Sequence, residues 1–339
     1  MTISNDKKIV VFYVLEILKD FSDSEHRLTY KDIVDKLDVK YGIRPDVKSV
    51  AKNIDTLIGA GYEIEKCGYK GCYLACRDFE KGELMYLIDA INSSTAIDPK
   101  QAKDLVNKLT KDYSRYDKKK YHSIMKIDLQ TSKSRNKELF YVIEILSEAI
   151  EQGKKVAFHY NEYNISKELQ EKFNSKEYII NPYFLVNSRG KYYLVCNYDK
   201  YNDISNYKVE AISDIRILEE DAKDIKQLNN MQNFSIKNYI NEHIYMTYGE
   251  SVDARLELES AKYIGEIIDW FGDKVRLSKT PDDKIIVEMK VNEQALIYWA
   301  LQYGEHVEII MPEKTREKIK NTLEKILKNI KENIWSLHQ

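Results

Sequence analysis

Apolar residues recur along the first 78 positions at helical spacing and then at strand spacing. Ile9, Val10, Phe12, Tyr13, Ile17 and Leu18 form one stripe over residues 7–21, which predicts a helix. Thr29 stands where an N-cap belongs, ahead of the run Lys31 to Leu37. A third helix is expected to open near Pro45, because proline suits a first helical turn, and to end at Gly59-Ala60-Gly61. Its apolar face holds Val47, Val50, Ile54, Leu57 and Ile58. Residues 62–65 and 72–75 then read as strands around a turn at Gly68-Tyr69-Lys70-Gly71. Three helices followed by a hairpin is the order of a winged helix-turn-helix.

Helical patterns continue at 80–93 and 99–111. Residues 112–137 are weakly periodic and are expected to link or strap domains. A helix at 138–152 precedes strand-like runs at 155–160, 177–187, 191–198, 205–209 and 212–218, with a polar loop or short helix at 161–176. After a linker around 221–248, the pattern gives strand 252–258, helix 260–271, strands 274–279 and 284–291, helix 292–302 and strand 306–311. This βαββαβ order is that of a ferredoxin-like module. A last helix, 312–334, opens at Pro312. The expected class is an α+β multidomain protein.

At 339 residues the chain is long enough for two or three domains, and 43% hydrophobic content is enough for packed cores. No apolar run approaches the roughly 18 residues of a membrane span. Asp6, Lys7 and Lys8 interrupt any signal-peptide core, so a cytoplasmic protein with no membrane partner is expected. The 4 cysteines are too few for a disulfide framework, and no histidine joins Cys67, Cys72 and Cys76 at zinc-ligand spacing. They read as small apolar residues of a hairpin, and neither metal nor cofactor is expected. Phosphate-binding, dinucleotide-binding, metalloprotease and serine-hydrolase motifs are all missing from the sequence, which argues against an enzyme.

The net charge of −2 hides an uneven distribution. Residues 1–78 carry 13 Lys/Arg and 13 Asp/Glu, whereas residues 103–137 carry 11 Lys/Arg against 4 Asp/Glu. On the third helix, Lys48, Ser49, Lys52, Asn53 and Thr56 lie opposite the apolar face, where a recognition helix meets base edges in a major groove. Arg44 precedes that helix and is placed to meet phosphate. Lys66 and Lys70 flank the hairpin tip, where a wing touches the DNA backbone. The competing reading is a winged helix used for protein contact, which Asp46 and Asp55 favour. Lys118-Lys119-Lys120, with Tyr113, Tyr116 and Tyr121 around it, is either a solvated linker or a second contact to DNA backbone.

Lys191-Tyr192-Tyr193-Leu194-Val195 follows Asn181-Pro182-Tyr183 and a turn at Ser188-Arg189-Gly190, and leads to Tyr207-Lys208-Val209-Glu210-Ala211-Ile212. These runs resemble the signature of bacterial WYL-domain transcriptional regulators, with Tyr192 in place of the tryptophan of Trp-Tyr-Leu. The second run is similar to that family's Phe-Arg-Leu-Asp-Arg-Ile strand. Residues 41–43 and 68–74 resemble its DNA-binding domain, and Ala300-Leu301-Gln302-Tyr303-Gly304 with Val307 to Pro312 resembles its C-terminal extension.

The resemblance implies a winged helix-turn-helix at 1–78, a helical basic linker at 79–137, an Sm-like ligand-sensing barrel at 138–222 and a ferredoxin-like extension at 223–339. It implies a ligand patch at His159, Tyr160, Tyr192, Tyr193 and Lys208, taking a nucleotide or short single-stranded oligonucleotide. Double-stranded DNA and a second copy of the chain are the other implied partners. Two departures bear on the patch. Lys208 replaces an arginine and loses its bidentate fork, and Ala211 replaces another outright. Tyr193 and Leu194 read equally well as barrel core. The alternative function is an accessory protein that binds single-stranded nucleic acid or an effector partner, with the winged helix as an interaction module.

Overall fold

The computed structural model describes residues 8–124, 136–166, 169–171, 177–228, 232 and 234–336. The protein is a mixed α/β chain that divides into two compact units, Met1–Ser134 and Arg135–Gln339.

In the first unit, α1 (Val10–Phe21), α2 (Tyr30–Tyr41) and α3 (Val47–Gly59) pack around Val14, Ile17, Leu18, Ile33, Leu37, Val50 and Ile54. Each such fully buried aliphatic side chain contributes roughly 1.5–3 kcal/mol relative to exposure. Thr29 caps α2 in a reciprocal box, in which the Asp32 N–H donates to Thr29 Oγ1 at 3.2 Å and the Thr29 N–H donates to Asp32 Oδ2 at 2.8 Å. The start of α3 departs from expectation. Asp46 is the N-cap, accepting from the Ser49 N–H at 2.8 Å, and Pro45 stands just outside the helix. A carboxylate that satisfies an orphan N–H fixes the helix start more firmly than the ring does.

Strands β1 (Ile64–Lys66) and β2 (Cys72–Leu74) form the hairpin, and Cys72 bridges back to Leu28. Gly71 makes that approach possible. Its φ is +96°, and a Cβ there would stand 2.3 Å from the Leu28 carbonyl oxygen.

Helices α4 (Lys81–Ser93), α5 (Pro99–Leu109) and α6 (Arg115–Ile124) follow. The weakly periodic segment thus contains a helix that the apolar pattern did not announce. Its signal is a cap, since the Asp117 N–H donates to Ser114 Oγ at 3.1 Å. Residues 125–135 lie outside the described residues.

The second unit opens with α7 (Leu139–Gln152), packed on β3 (Lys154–Tyr163), β5 (Tyr178–Ser188) and β8 (Ile212–Asp221). With β4 (Leu169–Glu171), β6 (Lys191–Asn197) and β7 (Ile204–Lys208), these strands make a six-stranded antiparallel sheet. Its order is β4-β3-β5-β6-β7, with β8 also on β3. A 3-10 turn, Val209–Ala211, joins β7 to β8. The stretch around 221–248, read from sequence as a linker, holds α8 (Ile236–Glu242). Leu228, Tyr239 and Met246 pack there with Val186, Val195 and Ile204. A seven-residue helix spans too few turns to leave a readable stripe.

The remaining elements are β9 (Ser251–Leu258), α9 (Ile264–Phe271), β10 (Arg276–Lys279), β11 (Ile285–Asn292), α10 (Glu293–Tyr303), β12 (Val307–Met311) and α11 (Glu313–Ser336). The sheet runs β10-β11-β9-β12, antiparallel throughout. Leu256, Leu258, Val287, Leu296, Trp299 and Ile309 fill the space beneath its helices. At the tip of the β5–β6 hairpin, Arg189 takes a φ of +51° and lays its guanidinium 3.5 Å from the Trp270 ring centroid on α9. That contact ties the hairpin to the C-terminal module.

Candidate nucleic-acid interface and ligand patch

Helix α3 buries Val50, Ile54 and Leu57, which turns Lys48, Lys52 and Thr56 to solvent and leaves Ser49 and Asn53 half-buried. Lys48 and Lys52 make no ion pair among the described residues. The two acids that favoured protein contact are both engaged. Asp46 is spent on the cap of α3, and Asp55 is bonded to Lys66 on the hairpin. The exposed helix face thus keeps Lys48 and Lys52 beside an ion-paired Asp55, while Asp46 retains its charge at the helix start.

The flanking cations are less available. Arg44 is held by Asp38 at 2.7 Å and by Asp35 at 3.4 Å, and Lys66 by Asp55. Exposed pairs of this kind are worth only about 0–1 kcal/mol and exchange readily for a phosphate. At the hairpin tip Lys70 lies 6.0 Å from the ring centroid of Tyr69, which is 90% exposed. The basic run around Lys118 turns back on its own unit. Arg115 meets Asp20 at 2.9 Å, Lys120 meets Glu25 at 2.6 Å, and Tyr116 stacks on His26 at 3.6 Å.

In the second unit the structure separates the five patch residues. Strand alternation puts His159 and Tyr160 on opposite faces of β3, and Tyr192 and Tyr193 on opposite faces of β6. Tyr193 lies directly across from Lys208 and packs with the α8 cluster. Tyr160 joins Phe158, Tyr178 and Tyr207 in a cluster with ring centroids 5.1–6.3 Å apart. Its hydroxyl accepts the Lys208 N–H at 3.3 Å, which brings Tyr160, Tyr193 and Lys208 to one corner. His159 belongs elsewhere. Arg216 first, and His159 to a smaller degree, hold the Glu177 carboxyl below its ordinary range.

Glu210 and Lys191, to which sequence reasoning assigned no role, complete the corner. Glu210 is only 5% exposed, and its Oε2 has no hydrogen-bond partner among the described residues. Its Oε1 lies 3.4 Å from Lys191 Nζ, and its backbone carbonyl accepts from Asn136 Nδ2 at 2.9 Å. Burial pushes the Tyr160 and Tyr193 hydroxyls up, and the charge of Glu210 adds to this. The available signal was its place in the run Lys208-Val209-Glu210-Ala211, where the loss of a cation at Ala211 leaves an acid without an obvious partner.

Residues 141–217 match the family model of the WYL domain, and residues 249–327 match that of the WCX domain. Comparison with curated proteins gives no match. Among solved structures, the chain is similar to proteasome accessory factor B/C (PafBC) of Arthrobacter aurescens, at 14% identity and a TM-score of 0.27. That match covers 94% of this chain and 48% of the other, so the chain spans about half the length of that protein. It is also similar to a CRISPR Cas-related protein, at 17% identity and a TM-score of 0.40, with 97% of this chain and 86% of the other covered. Among the described residues no helix is long and apolar enough to cross a membrane. The resemblance to WYL-domain regulators read from residues 191–195 and 207–212 is thus met at the level of domains, and the chain carries a WYL domain followed by a WCX domain.

Proposed function

We propose that the chain is a DNA-binding transcriptional regulator. In this reading 1–78 is a winged helix-turn-helix, 79–137 a helical linker, 138–222 an Sm-like sensing barrel and 223–339 a ferredoxin-like extension. The WYL–WCX tandem points to a regulatory role. The observation that carries DNA binding is α3, whose outward face presents Lys48 and Lys52 with no ion-pair partner among the described residues, while Asp55 is paired with Lys66 and Asp46 caps the helix. The decisive measurement is a mobility shift of the gene's own upstream DNA at graded salt. Lys52→Ala and Asn53→Ala are each expected to weaken binding by about 1–3 kcal/mol if the side chain reads a base edge. Unchanged affinity in both variants would remove α3 from the reading head.

The ligand reading centres on Lys208, Tyr160 and Tyr193. An ammonium beside aromatic rings suits a base joined to a phosphate, and Lys191 adds a second cation nearby. Salt-sensitive binding of a nucleotide or short single strand, lost in Lys208→Glu, is the expected calorimetric result. Binding that survives Lys208→Glu would exclude this corner as the phosphate site. The accessory-protein reading draws support from the ion-paired Arg44 and Lys66. It predicts no salt-dependent shift of the upstream duplex.

A further inference from the structure

The antiparallel sheet of the C-terminal module buries one face under its helices and leaves the other in water. Strand alternation puts Leu256, Leu258, Val287 and Ile309 on the buried side. The open side carries charge in two rows. Register sets Arg276 on β10 opposite Glu288 on β11, and Glu288 opposite Arg255 on β9. Two residues along, Lys290 on β11 stands opposite Asp253 on β9, and Lys274 lies just before β10. All six are exposed and line one cavity of about 460 Å³.

These charges do not neutralise one another. Arg255, Arg276 and Lys290 make no ion pair among the described residues, and neither do Glu288 and Asp253. Lys274 donates to an amide oxygen, Asn238 Oδ1, at 2.7 Å. Acids elsewhere on the sheet are paired, since Glu257 is bonded to Lys284 and Glu308 meets Arg316 at 3.0 Å. Opposite charges set directly across strands are worth roughly 0.2–1 kcal/mol when they close into pairs. Here four cations and two carboxylates stay apart in one cavity.

We propose that this sheet face binds single-stranded nucleic acid, with phosphates on the cations and exocyclic base amines on the carboxylates. Charge complementarity names the occupant. The excess of cations favours a polyanion. The guanidinium forks of Arg255 and Arg276 suit phosphate. They stand two strand spacings apart, about 9.6 Å, and the two rows are about 6.7 Å apart. One phosphate cannot span that array, whereas the backbone of an extended strand can. The interposed acids repel an acidic peptide, but Glu288 and Asp253 can accept from the amine of cytosine or adenine, as carboxylates do at base edges. In a duplex the complementary base already engages those amines. No aromatic side chain lines the cavity, so affinity rests on charge and not on stacking. The site shares no residue with the Lys208 corner or with α3.

Fluorescence anisotropy of short labelled strands tests it, on the full chain carrying Lys208→Glu so that the WYL corner does not contribute. Oligo(dC) is expected to bind more tightly than oligo(dT), because thymine has no exocyclic amine. The logarithm of the association constant should fall against that of salt with a slope of about −2 to −3, as for three or four cations on a single strand. Arg255→Glu with Arg276→Glu should weaken binding ten-fold or more and make the slope shallower by about 1.4. Far-UV dichroism should be unchanged, because both positions are exposed. Glu288→Ala should narrow the preference for oligo(dC) even though it removes a negative charge. Binding indifferent to the two arginine substitutions overturns the proposal. So does a Glu288→Ala variant that strengthens both strands alike, or oligoglutamate that binds as tightly as oligo(dC), which would make the face a dock for an acidic protein. The WYL-corner reading is tested separately, by nucleotide binding that Lys208→Glu abolishes and that Arg255→Glu with Arg276→Glu leaves intact.

Discussion

At the scale of single residues, backbone constraints were more legible than partners. The cap at Thr29 and the turn glycines follow from local chemistry that neighbours on the chain determine. Gly71 shows how strict such a constraint becomes. Gly71→Ala must move the Leu28 carbonyl and hold a strained φ, so the cost is expected to be about 2 kcal/mol or more, read as a lower urea midpoint for the first unit. Ion-pair partners were not legible, because they join residues far apart in sequence. Asp55 reads in sequence as an acid on the DNA-facing helix and in the fold is bonded to Lys66, and Glu210 reads as one residue of a strand and in the fold is a buried charge beside Lys191. Neutralising it by Glu210→Gln removes a repulsion from that corner. Affinity for an anionic nucleotide should rise, and a fall in the same titration would show that the carboxylate instead holds Lys191 in place.

At the scale of elements, periodic segments were readable and short ones were not. The long helices and the strands of both sheets follow from apolar spacing, whereas α8 and α6 depend on what they pack against. Helix α6 shows the cost of counting charge without geometry. A run that reads in sequence either as a solvated linker or as a DNA-backbone contact is clamped onto α1 and the loop after it through Asp20, Asp23 and Glu25. Burial opposes ionisation of Asp20 and Asp23. Arg115 and Lys40 outweigh it at the first, and Ser114 and His26 at the second, so both carboxyls sit below their ordinary range. A depressed folded-state pKa means that the stabilisation is present above the unfolded value and is lost as pH falls through the folded one. The melting temperature of the first unit should therefore drop as pH is taken from 5 towards 3, and Asp20→Asn should flatten that slope. An unaltered slope would mean that α6 is held by packing alone.

At the scale of the whole molecule, the order of modules was more informative than any motif. Domain identity rests on the 141–217 and 249–327 matches, and the signature at 191–195 had pointed to the first of them. The sequence could not show that the five patch residues divide between sheet faces, because register is a property of pairing. Nor could it show that the hairpin carrying Tyr192 and Tyr193 ends on Trp270, since Arg189 and Trp270 are 81 positions apart. That last contact makes the protein its own spectroscopic reporter. Of the 3 tryptophans, Trp299 is sealed in the core, while the half-buried Trp270 has a cation over its face at the tip of the signature hairpin. A ligand that shifts the hairpin must change the field at that indole. Unlabelled protein should therefore report occupancy of the WYL domain as a change in tryptophan emission, and Arg189→Ala should abolish the response without abolishing binding.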